Sequence, residues 1–114
     1  MKKTLLYIFT ISLLTACGAK LAVLTQADAD RGAKKFPGIT LSDLAEGQML
    51  FKTNCSQCHP LKNPTSRDEA QWRKVVPKMA AKAERKANKK KIDGITQEKI
   101  LKYLITASTA GASK

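Results

Sequence analysis

Both thiols of one short stretch and the only histidine of the chain fall within five residues, Cys55-Ser56-Gln57-Cys58-His59. C-x-x-C-H is the attachment sequence for c-type haem. Each cysteine sulfur can add to one haem vinyl group, and the two residues between them set the separation of the sulfurs. The histidine directly after them then presents its imidazole to the iron from the proximal side. Three other uses of the pattern fit less well. A thioredoxin-like pair needs strands and a βαβ setting, and no segment of this chain reads as strand. A zinc site needs a fourth ligand, for which neither a second histidine nor a spare cysteine remains. A plain disulfide would leave His59 unexplained.

The third cysteine belongs to a different signal. Lys2 and Lys3 precede an apolar run from Leu5 to Leu14, too short to span a bilayer comfortably and suited to the core of a signal peptide. The run ends in Leu14-Thr15-Ala16-Cys17, which resembles the lipobox of bacterial lipoproteins. The resemblance implies removal of residues 1–16 and lipidation of Cys17, with stable anchoring by two or three acyl chains. An ordinary signal peptide with an incidental cysteine is the alternative. The expected location is the periplasmic face of a bacterial membrane, inner or outer left open. Export excludes nucleic acid as a partner despite the formal charge of +12, which falls by two when Lys2 and Lys3 leave.

What remains is one small domain, of a size that often recruits a metal, disulfide or cofactor to complete its core. Residues 17–41 read as the lipidated cysteine and a flexible tether, with room for one turn of helix. Ser42 is the expected cap of a helix carrying Leu44, Gly47, Leu50 and Phe51 at helical spacing and ending at Cys55. Pro60 to Pro64 is a loop by composition. Ser66-x-x-Glu69 has the spacing of a capping box for a second helix, with Trp72, Val75 or Val76, Met79 and Ala83 inward. Pro77 is expected to kink that helix or end its regular part. Asp93-Gly94 reads as a turn, and Thr96 as the cap of a third helix bearing Ile100, Leu101, Leu104 and Ile105. Residues 110–114 read as a disordered tail. The expected class is all-α, with three main helices around one covalent haem and the compact part over 42–109.

Across roughly residues 42–107 the chain resembles the class I cytochromes c. The order matches: a helix leading into C-x-x-C-H, a methionine beyond it, then a C-terminal helix. The resemblance implies a close crossing of the two terminal helices, with Gly47 and Phe51 on the first. Ile100 and Tyr103, or Leu101 and Leu104, are the expected partners. It also implies a methionine as sixth iron ligand. Met1 leaves with the leader and Met49 lies on the attachment helix, where it is expected in the core or at the haem edge. Met79 is therefore the expected distal ligand, with Lys78, Lys82 or an open position as alternatives. Only twenty positions separate it from His59, fewer than in larger members. The carbonyl of Pro64 is the candidate to orient the His59 imidazole. Trp72 is expected to pack on the porphyrin, or else to donate its indole N–H to a propionate.

The functional expectation is a non-enzymatic, one-electron carrier holding one haem c through Cys55, Cys58, His59 and Met79. If Met79 does not ligate, a five-coordinate haem would suit a gas sensor or a weak peroxidase. A third option is a relay subunit inside a larger complex. The basic residues between Arg73 and Lys91 are either a solvated face, a docking rim for an acidic redox partner, or a contact to anionic lipid.

Overall fold

The structure, a computed structural model, describes residues 20–56, 59–87 and 91–111. It is all-helical. Four α-helices follow in order, α1 (Gln26–Ala33), α2 (Leu41–Cys55), α3 (Glu69–Ala87) and α4 (Gly94–Ser108), with a 3₁₀ turn at Pro64–Ser66 before α3. No strand occurs among the described residues, and none of their helices is long and apolar enough to cross a membrane. The leader, Cys17, Cys58 and the last three residues lie outside the described residues.

Helices α2, α3 and α4 each start where a short polar side chain satisfies a free N–H group of the first turn, but not at the residues expected from the sequence. Thr40, not Ser42, caps α2: its hydroxyl accepts from Asp43 N at 3.1 Å while the Asp43 carboxylate accepts from Thr40 N at 2.8 Å. Ser66 belongs to the 3₁₀ turn. The reciprocal pair before α3 is Asp68 and Gln71, each side chain accepting from the other's backbone N–H, at 2.8 and 3.0 Å. Asp93, not Thr96, caps α4, accepting from Thr96 N at 2.7 Å. Before α3 the capping-box spacing occurs twice, as Ser66-x-x-Glu69 and Asp68-x-x-Gln71, and the second is the one used. Pro77 does not end its helix: α3 continues through it to Ala87.

The larger departure lies at the front. Residues 26–33 form a helix in place of a free tether, with Ala29 and Gly32 buried. Arg31 donates to the carbonyl of Thr106 near the end of α4 and pairs with Asp28 at 2.6 Å. Gly38, at φ 83, then turns the chain toward α2 in a conformation that disfavours side chains.

α4 is the central element and touches α1, α2, α3 and the 3₁₀ turn. Its buried residues Ile100, Leu101, Tyr103, Leu104 and Ile105 meet Phe51 of α2 and Trp72 and Val76 of α3 in one apolar cluster. The α2–α4 crossing is as close as backbones allow. A Cβ built on Gly47 would lie 2.5 Å from the Lys99 carbonyl oxygen and 2.7 Å from Tyr103 Cβ. Of the expected partners for Gly47, Tyr103 is the one that lies nearest. Phe51, one turn further on, has its ring 6.1 Å from that of Tyr103 and 6.3 Å, edge-on, from Trp72.

Candidate functional site

The last turn of α2 delivers Cys55 to a cleft. Asn54 closes that turn by donating from its side chain to the Leu50 carbonyl at 2.8 Å. Across the cleft stands α3, and the segment leading into α4 forms its end. Two adjoining recesses, of about 760 and 540 Å³ including space open to solvent, share four lining residues: Cys55, His59, Val76 and Met79. The first recess is closed by Ile92 and Ile100, the second by Phe51, Leu61, Trp72 and Val75. The walls are therefore apolar, and the potential donor atoms are few and convergent.

Burial pushes the Cys55 thiol up to about 11, so it is a neutral thiol at physiological pH. A protonated, partly buried sulfur is a poor thiolate nucleophile. His59 is exposed, and its Nδ1 lies 2.9 Å from the Pro60 carbonyl oxygen. A carbonyl can only accept, so Nδ1 carries the proton, and in the neutral ring the lone pair is then on Nε2. Met79 is half-buried on the cleft side of α3. Among the described residues no three of His, Cys, Asp and Glu converge on one point.

Several expected positions are corrected by this geometry. The Pro64 carbonyl does not hold the imidazole; it accepts from Trp72 Nε1 at 2.9 Å in a buried bond. Pro60 takes that place because its carbonyl lies one residue from the ring. The indole N–H, being spent on Pro64, is not available to a propionate, while the ring of Trp72, 3% exposed, still walls the cleft. Met49 is 59% exposed and lines neither recess, so it belongs neither to the core nor to the cleft. Of the two lysines weighed as substitutes, Lys82 lines the cleft and the exposed Lys78 does not. Cys58 and Cys17 lie outside the described residues.

Other contributors were not legible in advance. Arg67 stands 5.0 Å above the Trp72 ring and, with Lys62, edges the second recess. Lys82 and Lys86 edge the first, and no acidic side chain lines either. Glu84 accepts from Ile92 N at 3.1 Å, and Gln97 donates to the Ile92 carbonyl at 2.7 Å, so two side chains pin the cleft's end wall. These are contacts across eight and five positions with no local pattern to announce them.

Comparisons with known proteins return no match: no family model, no curated protein and no solved structure is significantly similar to this chain.

Proposed function

We propose that the protein is a one-electron carrier with a single haem c attached through Cys55 and Cys58, and that Cys17 anchors it by lipid to the periplasmic face of a bacterial membrane. The observation that carries the reading is the convergence of Cys55, His59 and Met79 on one apolar-walled cleft. A thiol to attach the ring, with an imidazole and a thioether to ligate the iron, are the groups that a class I c-type haem uses.

When bound, the haem supplies the Fe(III)/Fe(II) couple. The chain's own residues do the rest. The Cys55 and Cys58 sulfurs would hold the group covalently, and the His59 Nε2 lone pair would ligate its iron. The Pro60 carbonyl, accepting from Nδ1–H, fixes the ring's tautomer and raises its basicity. The Met79 thioether would be a soft donor to the iron, favouring the reduced metal and so raising the potential. Phe51, Trp72, Val75, Val76 and Ile100 exclude water, which limits solvent reorganisation. Lys62, Arg67, Lys82 and Lys86 surround the opening with one sign of charge and would steer an acidic redox partner to it.

The test is the exported, matured protein, analysed by intact mass and pyridine haemochrome spectrum. One covalent tetrapyrrole per chain, lost when Cys55 and Cys58 are both replaced by Ser, is the expected result. A matured chain of unmodified mass would refute the reading. Lys82 beside Met79 gives the one specific rival ligand, and a five-coordinate, gas- or peroxide-binding haem is the rival function if neither side chain ligates.

A further inference from the structure

Residues 20–24, the first described after Cys17, do not hang free. The side chain of Gln48 on α2 donates to the Ala22 carbonyl at 3.0 Å, and Leu21 and Leu24 pack half-buried against the core cluster. Thr25 then begins α1 directly, its N–H donating to Asp28 at 2.8 Å. The chain is thus fastened to the body from Leu21 onward. Three residue steps separate Cys17 from Lys20, and an extended chain covers at most about 11 Å in that distance. A lipid on Cys17 therefore brings the surface of the body next to Lys20 within reach of the head groups.

That surface has the composition of a lipid contact. Val23 is 88% exposed and Met49 59% exposed, two of the three large apolar side chains left in solvent among the described residues. Ala45, Met49 and Lys52 follow one another at helical spacing on the outer side of α2. A shallow groove beside them is lined by residues 20–24 with Leu41, Ala45, Gln48, Lys52 and Leu61, and none of its lining side chains is acidic. Lys20 and Lys52 supply the charge. Scattered apolar side chains set among lysines are what an interfacial contact with anionic lipid uses.

We propose that the outer face of α2, together with residues 20–24, lies flat on the anionic lipid surface in which Cys17 is anchored. Val23 and Met49 enter the head-group layer, and Lys20 and Lys52 pair with anionic head groups. The inference rests on the lipid anchor proposed above. Leu61 lines both this groove and the cleft, so the cleft is held beside the membrane and the partner that reaches it is one standing in or on the same bilayer.

The experiment uses the full, lipidated, haem-loaded protein in vesicles containing anionic lipid. Environment-sensitive labels are placed by Val23→Cys, Met49→Cys and, on α3, Lys74→Cys, and their quenching by head-group nitroxides is measured. Labels at 23 and 49 are expected to be quenched and the label at 74 to stay in water. Lys20→Glu and Lys52→Glu are each expected to reduce the face-on population about fivefold in anionic vesicles and not in zwitterionic ones. Intact mass of Cys17 separates the two layers of the argument. A lipidated chain whose labels at 23 and 49 are no more quenched than that at 74 overturns the orientation and leaves the anchor standing. A Cys17 without lipid overturns both. Protection that grows with protein density and ignores lipid charge would assign the face to a second copy of the chain, and would also overturn the proposal.

Discussion

Replacing Gly47 by Ala isolates the contact on which the helix arrangement depends. On an exposed helix the change would stabilise by up to about 1 kcal/mol, because Ala is the better helix former. Here the new methyl would meet the Lys99 carbonyl at 2.5 Å and Tyr103 Cβ at 2.7 Å. Neither atom can swing aside, since one is α4 backbone and the other is bonded directly to it. Relief from 2.5 Å to a tolerable contact near 3.3 Å needs roughly 0.8 Å of separation between the helices. A gap of that size forfeits about a quarter to a half of the dispersion energy of the neighbouring contacts, among them the Phe51–Tyr103 pair. Overpacking of this kind costs about 1–3 kcal/mol. After the propensity gain the net loss is about 2 kcal/mol at the upper end, or a Tm lower by about 10 °C for a domain of this size. Thermal and urea unfolding of Gly47→Ala measure it. Gly94→Ala is the control, because nothing lies within 4 Å of a Cβ there; its expected effect is neutral to slightly stabilising. A Gly47→Ala protein stabilised by the full propensity gain of about 1 kcal/mol, as on an open helix, would refute the close crossing.

Met79→Ala should leave the covalent haem in place, abolish the weak near-red absorption band characteristic of methionine–iron ligation in the oxidised protein, and lower the reduction potential; an unchanged spectrum would remove Met79 from the ligand set. Trp72→Phe keeps a ring in the wall but strands the buried Pro64 carbonyl, a loss of about 1–3 kcal/mol to be read from urea unfolding. For Asp28, burial pushes the carboxyl up, but hydrogen bonds from Arg31 and Thr25 together outweigh it and hold the group below its ordinary value of 3.8. A depressed folded-state pKa means that its stabilisation is complete above that value and is lost as pH falls below it. Asp28→Asn should therefore flatten the acid limb of the stability–pH curve, which denaturation across pH 2 to 6 would show.

Much of the helical layout was written in local pattern. The period of Leu44, Gly47 and Phe51, the approach of α2 to Cys55, and the apolar run of α4 are all properties of neighbours three and four residues apart, and they need no knowledge of distant chain. A glycine inside a helix likewise announced a close approach before its partner was known. The helix starts were less legible, because Thr40 and Ser42, Asp68 and Ser66, and Asp93 and Thr96 are all competent caps. At α2 the local Thr40–Asp43 pair, which Ser42 lacks, marks the cap that is used.

The sequence by itself determined the donor atoms offered: two thiols and an imidazole spaced as C-x-x-C-H, a thioether twenty positions on, and an apolar leader ending at a cysteine. Covalent spacing alone carries that information. Tertiary structure decided which groups share a space. It spent the Trp72 indole on Pro64, gave His59 the carbonyl of Pro60, turned Met49 out to solvent, and bound residues 20–33 to the body where a tether was expected. These outcomes depend on contacts between residues as much as 78 positions apart, such as Arg31 with Thr109. Such contacts form only when burial of α4 by its neighbours has fixed where every other surface lies.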